Sequence, residues 1–106
     1  MAVSSEAYTY IPEEVRGKIP PLYATDKETN PTVWIKLFTP DSSWTWFITE
    51  FDGEDLCFGL VVGHAVELGY FSLAEITASR GPIGLRIERD LFFHPRPLEE
   101  VKAAHP

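Results

Sequence analysis

The segment around Trp34 to Tyr70 consists of short runs of aromatic and β-branched residues that turn-forming sequences separate. Pro40-Asp-Ser-Ser lies between the first two runs, and Asp52-Gly-Glu-Asp lies between the second and the third. Proline and Asp-Gly pairs favour tight turns, and strands that such turns join pair antiparallel. The segment therefore predicts an antiparallel meander, whose strands are Thr32 to Thr39, Trp44 to Phe51, Leu56 to Val62 and Val66 to Phe71.

Side chains that alternate along a strand point to opposite faces of a sheet. In the first strand, this alternation predicts a common face for Val33, Ile35 and Leu37. In the second strand, it predicts one face with Trp44, Trp46 and Ile48 and the other with Phe47 and Phe51. The third run is apolar on both faces, which predicts an internal strand. Gly59 within it indicates a bulge or a close approach of another chain segment.

A capping box marks the start of a helix after these strands. Ser72 fits the N-cap and Glu75 fits the third helical position, while Phe71 and Ile76 fit a hydrophobic staple. The helix should run from about Leu73 to Ser79 and end before Gly81-Pro82. Pro12 to Gly17 predicts a short N-terminal helical turn, because proline suits the first helical position and glycine suits the end.

These elements predict an α+β fold, in which an antiparallel, meander-like sheet of four to five strands packs with one capped short helix and an N-terminal helical turn. Ile83 to Phe93 is the candidate fifth strand, with Leu85, Ile87, Leu91 and Phe93 on one side. A chain of 106 residues predicts a single domain over residues 1–106. We expect residues 1–11 and 98–106 to be loosely ordered.

The net charge of −7 is unevenly distributed along the chain. Residues 1–30 carry −2, residues 31–70 carry −5 with Lys36 as their single base, and residues 71–106 are neutral. The predicted sheet is therefore the acidic part, and it would repel a phosphate backbone. Cys57 is the single cysteine, so no internal disulfide can form. We found neither a signal peptide nor an apolar stretch long enough to span a bilayer, and we expect a cytoplasmic protein that does not contact membranes.

Several motifs occur in a fixed order along most of the chain. They are Pro21-Leu-Tyr, Phe38-Thr-Pro-Asp-Ser, Trp44-Thr-Trp, Thr49-Glu-Phe-Asp-Gly-Glu-Asp, Phe58-Gly-Leu-Val-Val-Gly, Glu67-Leu-Gly-Tyr-Phe-Ser-Leu, Arg80-Gly-Pro-Ile-Gly-Leu and Ile87-Glu-Arg-Asp-Leu. Over about residues 18–97 this series resembles the bacterial family called domain of unknown function 2958. The resemblance implies a small cytoplasmic protein that is common on plasmids, integrative elements and phages. It implies no activity and no site residues.

Four carboxylates lie within six residues, at Glu50, Asp52, Glu54 and Asp55. Clustered oxygen ligands suit calcium or magnesium, but the spacing does not match a calcium-binding loop. We interpret the cluster as a solvated hairpin end whose acids discourage pairing with other strands and are available to a basic partner.

Three further groups have functional alternatives. Trp34, Trp44, Trp46 and Tyr70 could stack on bases, although a sheet covered on both faces explains them more simply. Arg80, Arg86 and Arg89 could bind phosphate or pair with neighbouring acids. Cys57, His64 and Glu67 could form a nucleophilic site only if they converged across strands, and a thiol in a buried strand is inert.

The leading hypothesis is an uncharacterised, non-enzymatic binding module of mobile-element type that presents its acidic end to a protein partner. One version is mimicry of DNA charge, which would block a nuclease or another defence component. The candidate binding residues are Glu50, Asp52, Glu54, Asp55, Arg80, Arg86 and Arg89. The alternatives are a nucleic-acid-binding accessory protein that uses the arginines, and a metal-dependent enzyme. The sequence predicts no catalytic residue, metal ligand or cofactor, and it leaves the oligomeric state open.

Overall fold

The structure is a computed structural model that describes residues 10–105. Its helices are α1 (Glu13–Arg16), α2 (Leu73–Ala78) and α3 (Leu98–Ala103). Its strands are β1 (Thr32–Val33), β2 (Ile35–Phe38), β3 (Thr45–Phe51), β4 (Leu56–Val62), β5 (Val66–Ser72), β6 (Glu88–Arg89) and β7 (Arg96–Pro97). The N-terminal helical turn and the capped helix are both confirmed.

Five strands form one antiparallel sheet in the order β5-β4-β3-β2-β6. Strands β2 to β5 follow one another in sequence and space, as the turn signals predicted. The short strands β1 and β7 pair separately as an antiparallel ribbon. The α+β fold class is therefore confirmed, with three short helices beside the sheet.

Each face of the sheet carries its own apolar core. The first core includes Leu37, Trp46 and Ile48, together with Cys57, Phe71 and Leu73. The second core lies on the opposite face and comprises Val33, Phe47 and Leu60, covered by Leu98 and Val101 of α3. Burial on both faces explains why the β4 sequence is apolar throughout. At Gly59 the β3 backbone approaches closely, as the sequence indicated, since a Cβ atom there would overlap the carbonyl oxygen of Phe47.

Two residues lie on the face opposite to the predicted one. Val33 packs in the second core while Ile35 and Leu37 pack in the first, because the chain leaves β1 and enters β2 at Trp34. Phe51 packs in the first core because the pairing of β3 with β4 shifts between Ile48 and Glu50. One extra residue in a strand reverses the direction of every side chain that follows it.

The extended strand predicted over Ile83 to Phe93 shrinks to the two residues of β6. Ile87 is buried, but Leu85 and Leu91 are exposed, so the predicted apolar face does not form. The Asp41 carboxylate accepts the N–H groups of Ile83 and Leu85, over 2.9 and 3.3 Å. Its side chain stabilises a turn where the sequence pattern indicated a strand.

The two ends of the described chain pack against different cores. Tyr10 and Ile11 are buried in the first core, and the Tyr10 hydroxyl donates to the Ile87 carbonyl over 2.8 Å. At the other end, Leu98 and Val101 anchor α3 to the second core. Burial of these apolar side chains stabilises both segments. The expectation that the chain ends are loosely ordered stays a prediction, and its residues 1–9 and 106 lie outside the described residues.

Candidate functional site

Glu50 was expected at the hairpin surface, but its side chain is only 1 % exposed. One carboxylate oxygen accepts the Tyr23 N–H over 2.8 Å. The other accepts the Thr25 N–H over 3.0 Å and also the Thr25 hydroxyl. A buried carboxylate is stable when several donors face it. Glu50 therefore fixes the loop around residues 23–25 and is removed from any exposed acidic surface.

Asp52 organises the turn between β3 and β4. Its Oδ1 atom accepts the N–H groups of Glu54, Asp55 and Leu56, over 2.8, 2.7 and 3.1 Å. Desolvation raises the pKa of Asp52, but the three backbone donors together outweigh it, and the pKa lies below its ordinary value. The Asp52 side chain is exposed, so it holds the turn and still presents charge to solvent.

Asp55 connects this turn to the start of α2. Its Oδ2 atom accepts the Ser72 hydroxyl over 2.5 Å, and its Oδ1 atom accepts the Ala74 N–H over 2.7 Å. Ser72 in turn accepts the Glu75 N–H over 3.2 Å, which confirms Ser72 as the N-cap. Two side chains thus satisfy the first turn of α2, and the sequence motif revealed only the local one.

Four acids therefore lie together at one end of the sheet. We call Asp52, Glu54, Asp55 and Glu75 the acidic end. Arg16 of α1 reaches the same turn, where its guanidinium donates to the Gly53 carbonyl over 2.5 Å and lies 5.3 Å from the centre of the Phe51 ring. The side chains of Glu54 and Glu75 are exposed. Within residues 10–105, no group of three or more His, Cys, Asp or Glu side chains is arranged to hold a metal ion.

Of the three candidate arginines, Arg80 and Arg86 are backbone partners, whereas Arg89 lies in β6. Arg80 donates to the carbonyl groups of Ala78 and Ser79, over 3.2 and 3.1 Å, at the C-terminal end of α2. Its backbone pairs with that of Arg86 in an isolated bridge. Arg89 is half-buried in β6 and lines a groove of about 390 Å³ with Lys36 and Trp44. Arg80 acts as a helix cap in this arrangement, so the structure gives it a local structural role.

Cys57 and His64 lie near opposite ends of β4. Cys57 is the second residue of the strand and is fully buried, whereas His64 follows the strand and contacts the edge of the Trp44 ring. At about 3.3 Å per residue, the strand separates them by roughly 20 Å. Burial raises the pKa of the Cys57 thiol, and Asp55 and Asp52 raise it further. The structure does not bring the Cys57 and His64 side chains together.

The outer strand β5 carries an exposed apolar surface that the sequence analysis missed. Val66, Leu68 and Tyr70 alternate along it and are 40 %, 47 % and 50 % exposed. We call these three side chains the β5 stripe. The Tyr70 ring lies 4.7 Å from that of Phe58 and 6.1 Å from that of Tyr23. The alternation of Val66, Leu68 and Tyr70 was visible in the sequence, but their exposure depends on β5 being the last strand.

Desolvation raises the pKa of Tyr70, and the neighbouring Tyr23 raises it further, so the hydroxyl stays uncharged at neutral pH. The β5 stripe therefore carries no charge at neutral pH. Trp46, which the aromatic-platform alternative also required, is buried in the first core. It cannot stack on a base beside the exposed Tyr70.

No helix of the described residues is long and apolar enough to cross a membrane. Searches of curated proteins and of solved structures returned no match to this chain. A family model described as "Protein of unknown function (DUF2958)" matches residues 14–103, which include every described helix and strand except the first residue of α1. The family resemblance of the sequence motifs is thereby confirmed, and the chain belongs to the DUF2958 family.

Proposed function

We propose that this chain is a protein-binding module that presents its acidic end to a partner with a basic surface. The observation that carries the proposal is the position of Glu54 and Glu75, whose exposed side chains lie on two elements that Asp55 ties together. Because the turn and the helix cap are fixed by hydrogen bonds, the backbone from which both side chains project is held in place before a partner arrives. A pre-ordered backbone lowers the entropy cost of binding.

Complementary charge mainly accelerates encounter and selects among partners. A nucleic-acid-binding protein is one such partner, and in that case the acidic end would take the place of DNA phosphates. The occurrence of related sequences on plasmids and phages, which the resemblance implies, would suit a role against host defence. We propose both a nucleic-acid-binding partner and a role against host defence.

Two double variants with equal charge change test it. The test variant is Glu54→Lys with Glu75→Lys. The matched control is Glu28→Lys with Glu100→Lys, because Glu28 also lies in an exposed loop and Glu100 also occupies the third position of a helix. Each protein is immobilised and exposed to host lysate, and bound proteins are quantified by mass spectrometry at low and high salt.

The proposal predicts that basic proteins bound by the wild type at low salt are lost from the test variant and retained by the control. High salt should release them, since charge attraction between exposed groups is screened. Equal loss from both variants would assign binding to net charge alone, and retention by both would exclude the acidic end.

A further inference from the structure

We propose that the outer edge of β5 pairs antiparallel with β5 of a second copy of this chain, so that two sheets join into one sheet of twice the width. This association is tested separately from the acidic end, because the stretch Val66 to Tyr70 that would pair contains none of the four acids of that end. Three features of β5 support this pairing: the direction of its backbone groups, its exposed side chains and the match of the strand to itself.

The hydrogen-bond pattern shows which backbone groups are free to pair. The Leu73 N–H donates to the Asp55 carbonyl over 3.0 Å, which makes these two residues a hydrogen-bonded pair in the β4–β5 register. Such pairs alternate with non-hydrogen-bonded ones along an antiparallel ladder. The inward-directed residues of β5 are therefore Glu67, Gly69 and Phe71. The residues whose N–H and C=O groups point to the open edge are Val66, Leu68 and Tyr70.

The residues with outward backbone groups are the same residues that form the β5 stripe. A second strand would thus find unpaired donors and acceptors beside a row of uncharged, apolar side chains. Exposed edges are usually blunted by proline, lysine, a bulge or a short strand. Strand β5 is seven residues long, contains neither proline nor lysine, and pairs with β4 without a register shift. Its single charged residue is Glu67, which lies on the face opposite to the β5 stripe.

Strand β5 also matches itself. A two-fold axis through Leu68 places Leu68 opposite Leu68 of the second copy, and Val66 opposite Tyr70 of the second copy. Apolar and aromatic cross-strand pairs of this kind stabilise antiparallel sheets. The same register places Glu67 opposite Gly69 of the second copy, so the two carboxylates do not face each other.

Gly69 supports this register independently. A Cβ atom at Gly69 would meet no other atom within 4 Å, so the packing of a single chain leaves room for a side chain there. Glycine within a strand often marks the close approach of another chain. In the dimer, the absent side chain would leave space for Glu67 of the second copy. Glu67 is the single acid of β5, and in this register it lies opposite Gly69 of the second copy. These matches favour the second copy as the occupant of the edge.

Sedimentation velocity over a range of protein concentrations tests the dimer. The test variant is Leu68→Lys, which places a charge at the centre of the stripe. The matched control is Leu85→Lys, because Leu85 is 44 % exposed and lies outside the sheet. We expect the wild type and the control to approach the dimer mass as concentration rises, and the test variant to remain a monomer with an unchanged circular dichroism spectrum. A monomeric wild type, or a test variant that dimerises like the wild type, would overturn the proposal.

Amide hydrogen exchange by NMR distinguishes strand pairing from any other mode of association. Exchange at Val66, Leu68 and Tyr70 should slow as concentration rises, by about tenfold once roughly nine-tenths of the chains are paired, because exchange then proceeds through the unpaired fraction. Exchange at Glu67, Gly69 and Phe71 should be slow at every concentration. Association without slower exchange at the first three amides would contradict the proposed pairing.

Discussion

The two edges of the five-stranded sheet differ in length, charge and exposure. At one edge, β6 contains only Glu88 and Arg89, and the neighbouring Lys36 and Asp90 form an ion pair over 3.4 Å. At the other edge, β5 extends over seven residues and exposes the uncharged β5 stripe on one face, with Glu67 as its single charged residue. A short, charged edge strand resists pairing with other chains, whereas a long apolar one invites it. One sheet therefore protects one edge and leaves the other open, which is why we assign a binding role to β5.

The open edge also has structural support from the loop around residues 23–25. Tyr23, which packs beside Tyr70, has a positive backbone φ of 71°. This conformation is uncommon for a residue other than glycine. The two oxygens of Glu50 accept the N–H groups of Tyr23 and Thr25 and so hold the loop in this conformation. The buried acid thereby maintains the aromatic end of the β5 stripe.

Both edges belong to one sheet, which should unfold cooperatively. Trp46→Ala tests this cooperativity and should have the largest effect on stability. Trp46 is buried in the first core on β3, the central strand. Its truncation should lower the free energy of unfolding by about 3–5 kcal/mol, as is usual for a buried aromatic side chain. Chemical denaturation should still show a single transition. A loss below about 1 kcal/mol would contradict the burial of Trp46, since surface substitutions rarely exceed that value.

Local sequence patterns predicted β2 to β5 and α2 because their signals are local. Turn residues, alternation and a capping box each depend on neighbours within a few positions. The buried carboxylate of Glu50 is satisfied by Tyr23 and Thr25, which lie more than twenty residues away. Sequence therefore placed Glu50 with Asp52 and Glu54 as a surface acid. The openness of β5 was equally hidden, because it depends on which strand ends the sheet.

Removing the Glu50 carboxylate, which supports the loop beside the open edge, should have the second largest effect on stability. Glu50→Ala leaves the N–H groups of Tyr23 and Thr25 without their acceptor in a part-buried site. We expect the free energy of unfolding to fall by about 2–3 kcal/mol, since each unsatisfied buried donor costs about 1–3 kcal/mol. Exchange of the Tyr23 and Thr25 amides should also become faster. In Glu54→Ala, the matched control, stability should change by less than about 0.5 kcal/mol, and similar losses in both variants would contradict the distinction.

Asp52, in the turn between β3 and β4, should make a smaller and pH-dependent contribution to the free energy of unfolding. Because the pKa of Asp52 is lower in the folded chain than its ordinary value of 3.8, its ionised form stabilises the fold. This contribution is fully present above pH 3.8 and is lost as the pH falls through the lower, folded-state pKa. In Asp52→Asn, the difference in stability from the wild type should therefore shrink as the solution is acidified below pH 4. Urea denaturation at several pH values measures it, and a difference that grows on acidification would contradict the sign.

The charged edge should give the smallest effect. Asp90→Asn removes the ion pair with Lys36, whose two side chains are 26 % and 29 % exposed. Partly exposed ion pairs contribute little, so the free energy of unfolding should fall by less than about 1 kcal/mol. If charge alone kept this edge from pairing, Asp90→Asn would form dimers through β6. Sedimentation would then still show dimers after Leu68→Lys is added to Asp90→Asn. We expect no such dimers, because the two residues of β6 offer too few backbone groups for a second strand, so that length protects this edge even without its charge.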